Sequence, residues 1–156
     1  LIPITQGYFV QVDDEDFERL SKVKWQASVR KYTVYAINTK TIERGKTTTI
    51  MMHRAILGVT DPKVYVDHRD GDGLNNCRIN IRRCTPAENV QNRAINKNSK
   101  SGIKGVRWNK QRSKWTSQLC HNKKRYFIGH FDDKSEAEKA YKEKAMRLFG
   151  DFYREK

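Results

Sequence analysis

The run Asp70-Gly71-Asp72-Gly73-Leu74-Asn75-Asn76 constrains this chain more than any other stretch. Asp and Asn side chains compete for backbone hydrogen bonds, and Gly leaves the backbone unrestrained, so neither a helix nor a strand can run through it. The run must be a loop. Short extended pieces flank it, Lys63 to Val66 before and Ile79 to Cys84 after. Downstream, Thr85-Pro86-Ala87-Glu88 reads as a helix start, with Thr as N-cap, Pro at the first helical position and Glu three residues after the cap. Lys63 to Asn92 is therefore strand, loop, strand, helix.

The residues upstream predict a strand over Ile4 to Val12, then a short helix opened by Asp13-Asp14-Glu15-Asp16, with Phe17, Leu20 and Val23 at helical spacing. Trp25 to Ile37 alternates aromatic and β-branched residues with polar ones, and Lys46 to Met52 is Thr-rich. With a turn at Glu43 to Lys46, these make a hairpin or small meander. His53 to Leu57 reads as a short helix closed by Gly58, and Asp61-Pro62 turns the chain.

Downstream, Arg93 to Ser101 is polar and basic and reads as a linker. Three strand-like runs follow, Ile103–Trp108, Lys114–His121 and Arg125–Phe131, and then a helix from near Asp133 that Gly150 stops. Ala137, Ala140, Tyr141, Ala145, Leu148 and Phe149 share one face of that helix. Trp108, Phe127 and Phe131 are expected in the core beneath it, because a three-stranded sheet must bury aromatics against its helix.

Charge adds a partner. The chain carries a net charge of +14. Residues 1–92 hold 14 Lys and Arg against 11 Asp and Glu, whereas residues 93–156 hold 18 against 7. Neutralising phosphates releases condensed counterions, so such a surface attracts nucleic acid, and the second half is the expected grip. A solvated basic surface is the bland alternative. No stretch is long and apolar enough for a membrane helix, and the first residues lack the pattern of a signal peptide. The expectation is a soluble, cytoplasmic, nucleoid-associated protein of a phage or its bacterial host. Cys77, Cys84 and Cys120 have no C-x-x-C pairing and are expected as reduced thiols.

Asp67 and His68 sit where the first short strand meets the loop, Asn80 lies in the return strand, and Asn89 lies in the capped helix. Phosphodiester hydrolysis needs a base to activate water and a hard cation to stabilise charge on phosphate. His68 is the candidate base, since an imidazole is partly neutral near pH 7. Asp67 and Asn89 offer a carboxylate and an amide oxygen, ligands suited to magnesium or manganese, with water and phosphate completing the shell. Asn80 could orient His68 or pin the loop. Equally, His68 could be a surface residue, Asn80 a turn former and Asn89 a polar helix residue.

The run V-D-H-R-D-G-D-G-L-N-N-C-R-I-N-I-R-R-C-T-P-A-E-N-V-Q-N resembles the HNH family of phage and intron-associated homing endonucleases. The resemblance implies an α+β fold with a ββα-metal core behind a small N-terminal sheet. It also implies a single divalent metal, Mg²⁺ or Mn²⁺, on Asp67 and Asn89, water activation by His68, and support from Asn80. Asn89 stands where the family's third letter is histidine. The stretches Ile2 to Gly7, Val12 to Asp16, Lys24-Trp25 and Met52-His53-Arg54 are also similar to this branch, and they leave His53 as either a structural neighbour of the site or a phosphate contact.

From Gly102 onward the chain resembles the plant ethylene-response-factor (Apetala-two) type of DNA-binding domain, through Gly105-Val106-Arg107, Lys114-Trp115 and Phe127 to Phe131. That resemblance implies a three-stranded antiparallel sheet packed on one helix, reading double-stranded DNA with Arg107, Lys110, Arg112, Lys114, Trp115, Gln118, Arg125 and Tyr126. Cys120 departs from the plant pattern. Arg69, Arg82 and Arg83 are expected to touch DNA beside the nuclease site.

The expected domains are 1–92, divided into a β region 1–52 and a nuclease core 53–92, a linker 93–101 and a DNA-binding domain 102–156. Three readings remain at this point: a sequence-directed endonuclease, a DNA-binding protein with a degenerate nuclease domain, and a basic RNA-binding protein. An endonuclease with one site per chain needs no protein partner and would nick as a monomer or cut both strands as a dimer.

Overall fold

The opening run expected as one strand is bent back on itself. In the computed structural model, which describes residues 1–96 and 98–154, β1 (Ile2–Pro3) and β2 (Phe9–Val10) pair antiparallel around a single-turn helix, Thr5–Gly7, with positive φ at Gln6 and Gly7. Lys97 of the expected linker, and Glu155 and Lys156 of the expected C-terminal domain, lie outside the described residues.

Helix α1 (Asp14–Ser21) carries three acidic residues in its first turn, where they complement the positive end of the helix dipole. Leu20 is fully buried at its far end, and Trp25 Nε1 donates to the Leu20 carbonyl at 2.9 Å. A meander follows, β3 (Gln26–Val29), β4 (Val34–Glu43) and β5 (Lys46–Met51), all antiparallel. Beyond the reach of β3, the far half of the β4–β5 hairpin is exposed on both strands except at half-buried Thr48. Helix α2 (Met52–Ile56) packs on β4 and β5. Strands β6 (Tyr65–His68) and β7 (Ile81–Cys84) form a separate antiparallel pair joined by the polar loop; each begins two residues later than expected, so Asp67 and His68 lie within β6, and Asn80, expected in the return strand, lies in the turn before β7. The core of this unit is Ile2, Ile4, Val10, Val12, Leu20, Trp25, Ala36, Met52, Ile56 and Ile81. Each large side chain removed from water here contributes on the order of 1.5–3 kcal/mol.

The chain divides into two compact units, Leu1–Thr85 and Pro86–Lys156. Helix α3 (Pro86–Gln91), expected with the first domain, groups with the second unit. The reason is local bonding: Gln91 Nε2 lies 2.9 Å from His121 Nδ1, and Lys104 Nζ donates to the Gln91 carbonyl at 2.7 Å. The end of the expected linker is also tied down, since Ser101 is buried with its Oγ 2.6 Å from the Val106 carbonyl.

In the second unit, β8 (Val106–Asn109), β9 (Lys114–His121) and β10 (Lys124–Phe131) form an antiparallel sheet with β9 in the middle. Helix α4 (Lys134–Phe149) begins at Asp133, whose side chain accepts from the Ser135 and Glu136 N–H groups. Ala137, Tyr141, Ala145 and Phe149 bury one stripe of α4 with Val106 and Leu119 of the sheet. Gly105 is required here, because a Cβ at that position would fall 2.1 Å from the Tyr141 ring, at a φ of +70°. Among the described residues, no helix is long and apolar enough to cross a membrane.

Candidate active site

Strand β6 ends with two buried functional side chains on opposite faces. The register sets Asp67 across from Arg82 and His68 across from Ile81. On one face the Arg82 guanidinium meets Asp67 Oδ2 at 3.0 Å, both side chains 9% exposed. Arg82, expected as a DNA contact, is therefore buried in a cross-strand ion pair, the arrangement in which opposite charges on facing strands satisfy each other. Arg69 and Arg83 are exposed, and Arg83 donates to the Leu57 carbonyl.

On the other face His68 is boxed in. Its Nε2 lies 3.4 Å from Asn76 Oδ1, and the Asn76 amide nitrogen donates to the Gly73 carbonyl at 3.1 Å. Because that second bond fixes which end of the Asn76 amide accepts, His68 Nε2 is the donor, and in the neutral imidazole the lone pair resides on Nδ1. Asn76 is almost completely buried. The His53 ring meets the His68 ring edge-on at 4.8 Å, and Tyr35 of β4 lies 5.8 Å from each. Burial holds the His68 imidazole below its ordinary pKa, opposed by the Asn76 hydrogen bond and by the charges of Asp70, Asp67 and Asp72. Burial, helped by the charges of His68 and Arg54, pushes His53 down to about 3. Burial and the Asp67 charge raise the Tyr35 phenol.

The loop is held from inside by Asn80. Its Nδ2 donates to Asp70 Oδ1 at 2.9 Å and to the Asn75 carbonyl at 2.7 Å, and its Oδ1 accepts from the Asp70 N–H. The Asn80 carbonyl accepts from the Arg69 N–H. Burial works to raise the Asp70 carboxyl, but hydrogen bonds from Asp72 N–H, Asn80 and Asn75 outweigh it and hold it low. From outside, the Gln11 carbonyl accepts from Asn76 N–H, and Asp13 Oδ2 accepts from Arg78 N–H at 2.6 Å. The Arg78 guanidinium also reaches buried Asp16 at 2.7 Å. Gly73 lets the loop pass against β4, since a Cβ there would lie 2.4 Å from the Val34 carbonyl and 2.7 Å from the Tyr35 ring.

Asn76 and Tyr35 are the site residues that the motif alone did not nominate. Asn76 carried a signal, being a loop amide eight residues beyond His68, whereas Tyr35 reaches the site only through tertiary packing. Asn89 is half-buried on α3, in the second unit. Among the described residues no three His, Cys, Asp or Glu side chains gather into a metal cluster. The Asp67 carboxylate, in the first unit, is a donor of the kind that hard divalent cations take.

The sheet of the second unit has two unlike faces. Toward α4 it turns Val106, Leu119 and the partly buried Trp115, Tyr126, Ile128 and Phe131. Trp115 and Tyr126, expected to read DNA, thus pack with the core. Trp108, expected in the core, crosses Trp115 at 5.2 Å but is 45% exposed. The register puts Arg107, Thr116 and His130 in one row of the opposite face, Gln118 with Phe127 in the next, and Cys120 with Arg125 beyond. Phe127, also expected in the core, is 60% exposed on this open face, where its ring meets His130 at 5.0 Å. Lys110 and Arg112 are exposed in the β8–β9 turn, and Lys114 pairs with Asp132 at 2.9 Å.

No protein-family model matches the chain, and no solved structure does. The chain is similar to Protein 3.8 of Escherichia phage T7, 34% identical over 77 residues, which cover 49% of this chain and 64% of that protein, just under two thirds. It is also similar to an uncharacterized HNH endonuclease of Acanthamoeba polyphaga mimivirus, 30% identical over 152 residues, 94% of this chain and 74% of the relative. With a likeness running nearly end to end, and with the strand-loop-strand segment that carries Asp67, His68 and Asn80 folded as described, the chain belongs to the HNH endonuclease family.

Proposed function

We propose that the chain is a sequence-directed DNA endonuclease, of the homing or nicking kind, which hydrolyses a phosphodiester bond with His68 as general base. One observation carries this reading: the His68 ring is buried at the head of the polar loop, its Nε2 3.4 Å from the buried Asn76 Oδ1, so the imidazole is held in place before substrate arrives. A base so held needs no reorganisation when the proton moves. Asn80 keeps the loop closed around that ring, and Arg82 fixes the Asp67 carboxylate. Asp67 is the residue of the first unit that would hold a divalent cation, Mg²⁺ or Mn²⁺, which when bound would stabilise charge on the phosphate and the departing oxygen.

The second unit contributes the grip on double-stranded DNA. Its open face presents Arg107, Gln118 and Arg125 around exposed Phe127, a mixture of hydrogen-bonding and apolar groups suited to base edges, with Lys110 and Arg112 at one end for phosphates. Arg69 and Arg83 of the first unit are the phosphate contacts nearest the chemistry in sequence.

The test is supercoiled plasmid incubated with the protein, with and without magnesium. Nicked or linear product that requires the ion, and is lost in His68→Ala while the DNA mobility shift is retained, is the expected result. Plasmid left intact by the unaltered protein in both magnesium and manganese overturns the reading.

A further inference from the structure

We infer that His53 and Tyr35 are positioning residues that fix the plane of the His68 ring, an inference that rests on His68 being the base. The contact between Nε2 and Asn76 bears on one corner of the imidazole. Two aromatic neighbours bear on the plane of the ring itself. His53 stands edge-on to His68 at 4.8 Å with an interplanar angle of 81°, and Tyr35 closes the third side at 5.8 Å from both rings.

Each neighbour is itself anchored. His53 is 4% exposed on α2, which packs on β4 and β5. Tyr35 lies on β4 against Gly73, a position with no room for a Cβ, and Gly73 in turn accepts from Asn76, the partner of His68. The contacts therefore form a closed ring: His68, Asn76, Gly73, Tyr35, His53 and back to His68. Burial keeps the His53 imidazole neutral, so it acts on His68 through shape and packing and adds no charge of its own near pH 7.

The experiment compares ring-keeping with ring-removing substitutions in the full chain, reading the maximum nicking rate on supercoiled plasmid separately from the half-saturating protein concentration. His53→Leu keeps apolar volume but removes the ring. It should lower the maximum rate about 10- to 100-fold, the loss typical of a misplaced reacting group, and leave half-saturation within about twofold. His53→Phe should recover the rate to within about threefold, since the edge-on ring is restored. Tyr35→Leu and Tyr35→Phe repeat the comparison from β4, and decide the matter if His53→Leu loses its cooperative melt.

Wild-type rates in both Leu variants overturn the inference. So does a Phe variant as slow as its Leu counterpart, which would mean that polar atoms matter and not the rings. A raised half-saturation at unchanged maximum rate would make these residues DNA contacts instead. His68→Ala separates the two levels. If it nicks normally the base assignment itself fails; if it is inactive while both Leu variants are fully active, only the positioning role fails.

Discussion

Leu1–Thr85 buries the ionisable side chains Asp16, His53, Asp67, His68 and Arg82 together with Asn76 and Asn80, whereas among the described residues of Pro86–Lys156 the buried polar side chains are all uncharged, Gln91, Asn92, Ser101, Thr116 and Ser117, beside a core of Val106, Leu119, Ala137, Tyr141, Ala145 and Phe149. The first unit spends stability on polar groups withdrawn from water, each of which must find a partner or cost several kcal/mol. It recovers a set of side chains fixed before any ligand arrives. The second unit keeps its cations on a solvated face, where their attraction for phosphate is long-ranged and salt-sensitive. On the function proposed above, the chemistry would use the buried groups of the first unit and recognition the exposed cations of the second.

The largest effects should break this division if it is mistaken. His68→Ala should slow nicking by about 10²–10⁴-fold, the usual contribution of a general base, with plasmid affinity within about twofold in a mobility shift. Loss of affinity in parallel with rate would show that the buried site also carries the grip. Arg82→Ala should destabilise the first unit by about 3–5 kcal/mol, because it strands the buried Asp67 carboxylate without its partner. A denaturant melt reads that cost. Arg82→Ala with an unchanged melt and weakened DNA binding would restore Arg82 to the contact role first expected of it.

Smaller effects should sharpen the comparison within the second unit. Arg107→Ala on the open face should cost about 1–3 kcal/mol of binding at one base pair if it reads a guanine edge, and leave the melt unmoved. Phe127→Ala should likewise weaken binding without lowering the melt, because a side chain 60% exposed buries little on folding. Trp115→Ala should do the reverse, lowering the melting temperature because its ring packs beside the α4 core. If Trp115 and Phe127 exchange these behaviours, the faces have been assigned the wrong way round.

Much of this architecture was legible in the sequence. The loop-forming run over 70–76 and the two extended pieces beside it fixed the β6–β7 pair, and the spacing of Ala137, Tyr141, Ala145 and Phe149 gave the buried stripe of α4. Three features were not legible, each for a physical reason. The first strand became a hairpin because positive φ at Gln6 and Gly7 turns the chain where a propensity reading continues it. Phe127 and Phe131 are four apart and would share a face in a regular strand. A bulge between Phe127 and Gly129 shifts the register, so Phe127 faces Gln118 on the open side and Phe131 faces Trp115 on the covered side. Asp67, His68 and Asn80 could be nominated by position in the motif, but the pairing of Asp67 with Arg82 depends on strand register, and Tyr35 enters from a strand more than thirty residues away.

The smallest predicted effect concerns acid stability and isolates the buried imidazole of the first unit. In the unfolded chain His53 titrates near its ordinary value of about 6.5, whereas in the fold burial depresses it to about 3. Between those values the unfolded state binds the proton and the folded state does not, so stability is complete above the unfolded pKa and falls as pH drops toward the folded one. Integrated from pH 7 to pH 6, one such group removes about 0.7 kcal/mol, and the slope approaches about 1.4 kcal/mol per pH unit below that. The depressed carboxyls of Asp16 and Asp70 lose their contribution only as pH falls below their ordinary range, so they leave this window to the histidines. Replacing His53 with Phe removes its share while keeping a ring in place. Denaturant melts of the two proteins at pH 7, 6 and 5 should therefore diverge, the unaltered chain losing more stability at each step and the variant following the shallower course left by His68. Parallel curves would mean that His53 is open to protonation in the fold, and that the first unit is less tightly closed around its imidazoles than a 4% exposed ring requires.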